Sequence, residues 1–287
     1  MSDRFAFRAL MVVAGLLIFC LGCILVGPLQ LFWWGTSLWL VCCSLLAHHM
    51  VMPMASSASP IIPVIAWLLL SLTIGSSGWT AWRLWWATRR LTRLTHTTYL
   101  PHPPVVARLT AQLNLKDSLV VVAGQAPFSF CYGLWRPRIC LSVGLIEVLT
   151  ETELAAVLCH EAYHLRRREP LRMAVAICLS RLLFFAPLIT ELRDRYLAEK
   201  ELAADAVAVA ATSRAALAGA MHKLITTKSQ LVAPPLAAVA GLSVTAQRVD
   251  RLIHPSIGPS WTLSPRSVVI TLAVFVGSCL AMLTGLI

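Results

Sequence analysis

Charged side chains are scarce in this chain, at 13% of 287 residues, and acids are the scarcest, with 13 Asp plus Glu against 24 Lys plus Arg. Together with 58% hydrophobic residues and a mean hydropathy of +0.75, that scarcity excludes an ordinary soluble protein. Charge is missing altogether from Ala9 to Val26, from Leu29 to His48 and from Val268 to Ile287, and Pro63 to Trp86 carries only Arg83. As a helix the first run is ~27 Å long, close to the ~30 Å hydrocarbon core of a bilayer. These four runs are expected to be transmembrane helices. Trp33, Trp34, Trp79, Trp82, Trp85 and Trp86 lie near their ends, as interfacial aromatics do. The first run has no small-residue cleavage pattern after it, so it is expected to be a retained helix rather than a signal peptide.

Other absences narrow the reading further. Nine cysteines show neither a disulfide framework nor metal-site spacing, and each is expected to be a small apolar residue. No internal repeat or low-complexity tract is evident. A formal net charge of +11 raises the question of nucleic acid. No stripe of Lys and Arg with interleaved aromatics occurs, however, and attraction to anionic lipid explains a basic juxtamembrane segment more simply. No direct nucleic-acid partner is expected.

The charge that does exist is concentrated. All Lys and Arg but Arg4, Arg8 and Arg83 fall between residues 87 and 266, as do all the acids but Asp3. Arg89, Arg90 and Arg93 follow the third run and Arg266 precedes the fourth, so the positive-inside rule makes 87–266 cytoplasmic. Arg4 and Arg8 pull against the outside N-terminus that three preceding spans require. The expected domains are a three-helix transmembrane region at 1–86, a cytoplasmic domain at 87–266 and a C-terminal transmembrane helix at 267–287.

Within the central segment, Pro101, Pro103 and Pro104 mark a linker, Val105 to Leu113 reads as a short helix and Ser118 to Ala123 as a strand. Phe128 to Leu134 and Arg138 to Leu145 read as two strands joined through Trp135-Arg136-Pro137, a hairpin whose edge could hold an extended substrate. Thr150-Glu151-Thr152-Glu153 then supplies capping and acidic first-turn residues for a helix that ends in Arg166-Arg167-Arg168.

That helix carries His160-Glu161-Ala162-Tyr163-His164. Positions i and i+4 share a face, so both imidazoles can reach one ion, and Glu161 lies about 100° round the helix, where it can serve as general base for a water. The chemistry this pattern suits is zinc-dependent peptide hydrolysis. A third ligand is needed, and Glu201 is the best candidate, with Asp205 one turn on to accept a hydrogen bond from a ligand imidazole. Glu199 is expected to point elsewhere, into solvent. Tyr163, Tyr196 and His222 are the candidate oxyanion donors. Cys159, His48, His49, His96 and His254 have no ligand spacing. Leu171 to Thr190 reads as a buried or interfacial helix, because one crossing there would separate Glu201 from the two histidines by a membrane. The helix through Asp205 is expected to run to Ala210, followed by a helix from Ser213 to Lys228, a loop at Val232 to Ala240 and a short helix from Gln247 to Ile253.

The chain resembles the M56 membrane metallopeptidases, the family of the beta-lactam sensor-transducers. The resemblance rests on Arg136-Pro137-Arg138-Ile139 before Leu141-Ser142, Glu153-Leu154 before the His160–His164 motif, the Arg-rich tail to Glu169, Phe184-Phe185-Ala186-Pro187-Leu188, and Glu201-x-x-x-Asp205. M48 peptidases share the two metal motifs but differ in the segment between them. What the resemblance implies is a mainly α protein: a multi-span membrane module of about four helices with an inserted α+β zincin-like domain. It further implies Zn²⁺ held by His160, His164 and Glu201 in a gluzincin-type site, with Glu161 as catalytic base and Asp205 supporting the ligands. A protein or peptide substrate, such as a transcriptional repressor or the protease itself, follows from the same likeness. Sensor-transducers carry an extracellular ligand-binding domain after the fourth span, whereas this sequence stops at Ile287. A signal is therefore expected through the spans or a partner sensor protein. An M48-type quality-control protease and a non-catalytic membrane scaffold are the alternative readings.

Overall fold

The computed structural model describes residues 4–19, 61–97, 99–115, 117–227, 248 and 262–284. A helix at 4–19 (α1) comes first. The order is then α2 (Ile61–Thr97), β1 (Tyr99–Leu100), α3 (Pro104–Gln112), β2 (Leu119–Val122), β3 (Ser129–Tyr132), β4 (Arg138–Ser142), α4 (Val143–Val148), α5 (Glu151–Arg166), α6 (Glu169–Leu182), α7 (Pro187–Ala211), α8 (Arg214–Thr226) and α9 (Pro265–Thr284). The chain is mainly helical with one small sheet.

The sheet runs β1-β2-β4-β3, with β2 and β4 parallel and the outer pairs antiparallel. β2, β3 and β4 are buried on both faces, and the two-residue alternation sorts their side chains cleanly. Leu119, Val121, Ile139 and Leu141 face a core completed by α3 and by Leu154, Val157 and Leu158 of α5. Val120, Val122, Phe130, Tyr132 and Cys140 face Leu84 and Leu91 of α2. β1 and β3 are the edge strands, and β3 joins β4 through a turn where Gly133 adopts φ 97°. A Cβ at Gly133 would lie 2.5 Å from the Arg136 carbonyl oxygen, so this turn requires glycine.

The helix after β4 starts earlier than the hairpin reading implies. Ser142 ends the strand and caps α4 by accepting from the Leu145 N–H at 3.1 Å, so Val143 to Leu145 are helical rather than extended. α5 begins in a full capping box, with the Thr150 hydroxyl on the Glu153 N–H and the Glu153 carboxylate on the Thr150 N–H. It ends at Arg167, and Arg168 takes a left-handed conformation, φ 51°, that turns the chain into α6.

Leu171 to Thr190 is two helices, not one. α6 stops at Leu182 and α7 starts at Pro187, whose missing N–H suits a first turn and whose ring disfavours helical geometry at Ala186. Thr271 of α9 supplies an acceptor for the Leu188 N–H at 3.2 Å, satisfying one orphan donor of that first turn. Ala6, Leu10, Ala14 and Leu17 of α1 pack against Ala176, Leu183, Ile189, Leu192 and Tyr196. α7 then turns back to lie along α5, the most extensive helix contact in the fold.

α2 is continuous through residue 87, where the expected domain boundary falls. Among the described residues, no helix is long and apolar enough to cross a membrane. The apolar run Leu29 to His48 lies outside them, as do His254, the loop at Val232 to Ala240 and the segment Gln247 to Ile253 apart from Arg248. The four described central cysteines, Cys131, Cys140, Cys159 and Cys178, are free thiols.

Candidate metal centre

α5 and α7 build the site between them. Residues 160 and 164 lie one turn apart on the face of α5 that meets α7, and their rings stand edge to face with centroids 4.8 Å apart. Their Nε2 atoms are 3.1 Å apart. From α7, Glu201 brings Oε2 to 3.4 Å from His160 Nε2 and Oε1 to 3.7 Å from His164 Nε2. All three side chains are buried.

These donors fit a divalent cation. Tetrahedral coordination with bonds of about 2.0–2.1 Å places neighbouring donors about 3.3 Å apart, close to the 3.1 Å between the two Nε2 atoms and the 3.4 Å from His160 Nε2 to Glu201 Oε2. Glu201 Oε2 is buried and makes no hydrogen bond within the protein, with His160 Nε2 at 3.4 Å and Arg248 Nη1 at 3.6 Å, so a cation shared with His160 would satisfy it more fully. Two imidazole nitrogens and one carboxylate oxygen make a donor set suited to zinc.

A carboxylate supports the first ligand. Asp205 Oδ1 lies 2.9 Å from His160 Nδ1, which orients the ring and leaves Nε2 to face the other donors. Burial opposes charge on His160, but hydrogen bonding to Asp205 and Glu201 wins and pushes its pKa up to about 9. Cation binding would therefore displace a proton from this ring. His164 moves the other way, because burial disfavours its charged form. Burial would raise Glu201 and Asp205, yet neighbouring Lys200 for the former, and hydrogen bonds from His160 and Arg248 for the latter, hold both below the usual carboxylate range.

Glu161 is fully buried beside the triad and does not join it. Ser129 Oγ donates to its Oε1 at 2.9 Å, while Oε2 has no partner. Burial lifts its pKa to about 7, against the opposing pull of His160 and Ser129. A carboxylate with one oxygen anchored and one unengaged can accept a proton near neutral pH. A cleft beside His164 is lined by Cys131, Glu169, Pro170, Met173 and Lys200. The Cys131 thiol is pushed up by burial and by the Glu161 charge, so it stays protonated there.

The structure brings together all five residues the sequence singles out and corrects their neighbours. Glu199 is not solvated: it is 1% exposed and bonded to Arg195 Nε at 2.8 Å. Of the three candidate oxyanion donors, Tyr196 is buried with its hydroxyl on Glu169, and His222 is exposed on α8. Tyr163 is partly exposed, its ring 5.8 Å from that of His164. Three residues escaped sequence reasoning. Ser129 was detectable in principle, since alternation along Ser129-Phe130-Cys131-Tyr132 puts the two small side chains on one face. Lys200, with Nζ 3.0 Å from Glu201 Oε1, and Arg248, bonded to Asp205 at 2.7 and 2.6 Å, carry no local signal.

Two imidazoles and a carboxylate converging beside a buried second carboxylate, on helices packed under a short sheet, form the arrangement of a metal-dependent peptidase. A family model described as BlaR1 peptidase M56 matches residues 43–253, most of the chain, which therefore belongs to the M56 peptidase family. No curated protein shows a significant match to the chain.

Proposed function

We propose that this chain is an integral-membrane zinc endopeptidase that cleaves peptide bonds on the cytoplasmic side of the membrane in regulatory proteolysis. The observation that carries the catalytic reading is the convergence of His160, His164 and Glu201 donor atoms within 4.8 Å of one another, with the unengaged oxygen of Glu161 buried alongside. When bound, Zn²⁺ supplies Lewis acidity, polarising a carbonyl and acidifying water. His160 and His164 contribute neutral Nε2 lone pairs, and Asp205 sets the orientation of the first ring. Glu161 takes the proton of the attacking water on Oε2 while Ser129 holds Oε1, and it later delivers that proton to the departing amine. β3, at one edge of the sheet, pairs with an extended peptide.

Membrane insertion is supported by the four apolar runs and by what two helices expose. Leu68, Leu72, Trp79, Trp82 and Trp86 on α2, and Val269 and Leu272 on α9, are all exposed. Arg89 stacks over Trp85 at 4.0 Å, an aromatic and cationic pairing suited to lipid headgroups. Family membership supports a protein substrate, with a transcriptional repressor or the chain itself as the natural choices and a partner sensor as the source of the signal.

In lipid nanodiscs the wild-type chain should hold zinc and degrade fluorescein-labelled casein. Glu161→Gln should retain the zinc and lose about 10²–10⁴-fold in cleavage rate. Casein cleavage at the wild-type rate by that variant would remove the mechanism. Zinc without cleavage in the wild type would favour a non-catalytic scaffold.

A further inference from the structure

We infer that Arg248 is a positioning residue of the metal centre, acting through Asp205 on His160 and directly on Glu201. The inference rests on the metal-centre reading above.

Arg248 lies 43 residues beyond Asp205 in the chain, yet its side chain is only 1% exposed. A guanidinium is buried at such cost that its partners must account for it. Here Nε donates to Asp205 Oδ2 at 2.7 Å and Nη2 to Oδ1 at 2.6 Å, a two-point grip that fixes the plane of the carboxylate. The same Oδ1 lies 2.9 Å from His160 Nδ1. The third nitrogen, Nη1, stands 3.6 Å from Glu201 Oε2, the oxygen that faces His160 Nε2.

One guanidinium therefore touches the support of a ligand on α5 and, separately, the ligand on α7. Asp205 held only by an imidazole could rotate about its side-chain bonds and carry the ring with it. Gripped from the opposite side by a planar fork, it cannot. An ion pair serving only to tie the chain together would have no reason to share an oxygen with a ligand imidazole or to approach a ligand carboxylate. Lysine could supply the charge but not the two parallel bonds.

The test uses the full chain in nanodiscs, stripped of metal, with zinc affinity measured by competition against a chromophoric chelator and the metal-free unfolding midpoint measured alongside. Arg248→Gln should weaken zinc by about 10- to 100-fold, Asp205→Asn by a similar factor, and the double variant by less than the product of the two single losses. Arg248→Lys should recover part of the loss. A purely structural role would lower the metal-free midpoint without changing the affinity of the folded protein. Zinc affinity of Arg248→Gln within about twofold of wild type would overturn the proposal, as would losses that multiply in the double variant. Should Arg248→Gln fail to fold, wild-type affinity in Arg248→Lys would overturn it equally. A wild-type chain that takes up no zinc would sink the metal-centre reading itself, and this inference with it.

Discussion

At the residue scale, the site depends on which oxygen of each carboxylate is committed. Each buried glutamate leaves Oε2 without a hydrogen bond, but Glu161 has Oε1 tied to the neutral Ser129 hydroxyl, whereas Glu201 has Lys200 Nζ 3.0 Å from Oε1 and Arg248 Nη1 3.6 Å from Oε2. Two buried glutamates forty residues apart thus take different roles because their surroundings differ. Burial dominates at Glu161 and raises its pKa, whereas the cations beside Glu201 overcome burial and lower it. Removing the anchor should blunt the base without touching the ligands. Ser129→Ala is expected to reduce kcat about 10-fold, less than the 10²–10⁴-fold that the proton-transfer group itself contributes, with zinc stoichiometry and KM unchanged. Steady-state kinetics with parallel metal analysis would check this, and loss of zinc in the variant would refute it.

At the scale of the element, α5 is fastened at its start, and the fastening reaches α8. Glu153 completes the capping box and also accepts from Lys223 Nζ at 2.7 Å. Gly219 makes room for that contact, since a Cβ there would stand 2.6 Å from Glu153 Oε1. Burial would raise the Glu153 pKa, but Lys223 and Thr150 hold it below the ordinary glutamate value. A carboxyl whose folded pKa is depressed contributes stability above its unfolded pKa of about 4.3 and loses it as pH falls through the folded value. Between pH 6 and pH 3.5 the unfolding midpoint of wild type should therefore drop more than that of Glu153→Gln. At pH 6 the variant should be less stable by about 1 kcal/mol, the typical worth of a cap. Equal drops in both proteins would show that the pair contributes nothing. The loss would be felt at the metal, because α5 carries both histidines.

At the scale of the whole molecule, the catalytic helices are held by elements from both ends of the sequence. Phe7 of α1 lies 5.0 Å ring to ring from Tyr196 of α7, and Arg172 of α6 stands over Phe7 at 5.4 Å. Tyr196 bonds to Glu169, which also takes Arg167 Nε at 3.1 Å and lines the cleft beside His164. α9 closes the other side through Thr271 on Leu188 and Glu191 on the Ser264 N–H at 2.7 Å. Tyr196→Phe should cost about 1.5–3 kcal/mol, the range for a hydrogen bond to a charged group, and lower the unfolding midpoint while leaving zinc bound. A midpoint equal to wild type would show that this buried contact is dispensable.

What the sequence determined by itself is what repeats over short distances. The i, i+4 spacing of His160 with His164 and of Glu201 with Asp205, the capping residues of α5, and the β-branched run of β2 each act within one element, where backbone periodicity dictates which side chains share a face. Where local signals compete, element boundaries shift by a few residues: Ser142 caps a helix instead of continuing a strand, and Pro187 splits one expected helix into two. Only the tertiary structure decided that Glu199 is buried, that Ser129 holds one oxygen of Glu161, and that Arg248 reaches Asp205. These contacts join residues far apart in the chain, and they form because a buried charge needs a partner to offset the cost of losing water. No pattern along a single strand or helix encodes that environment.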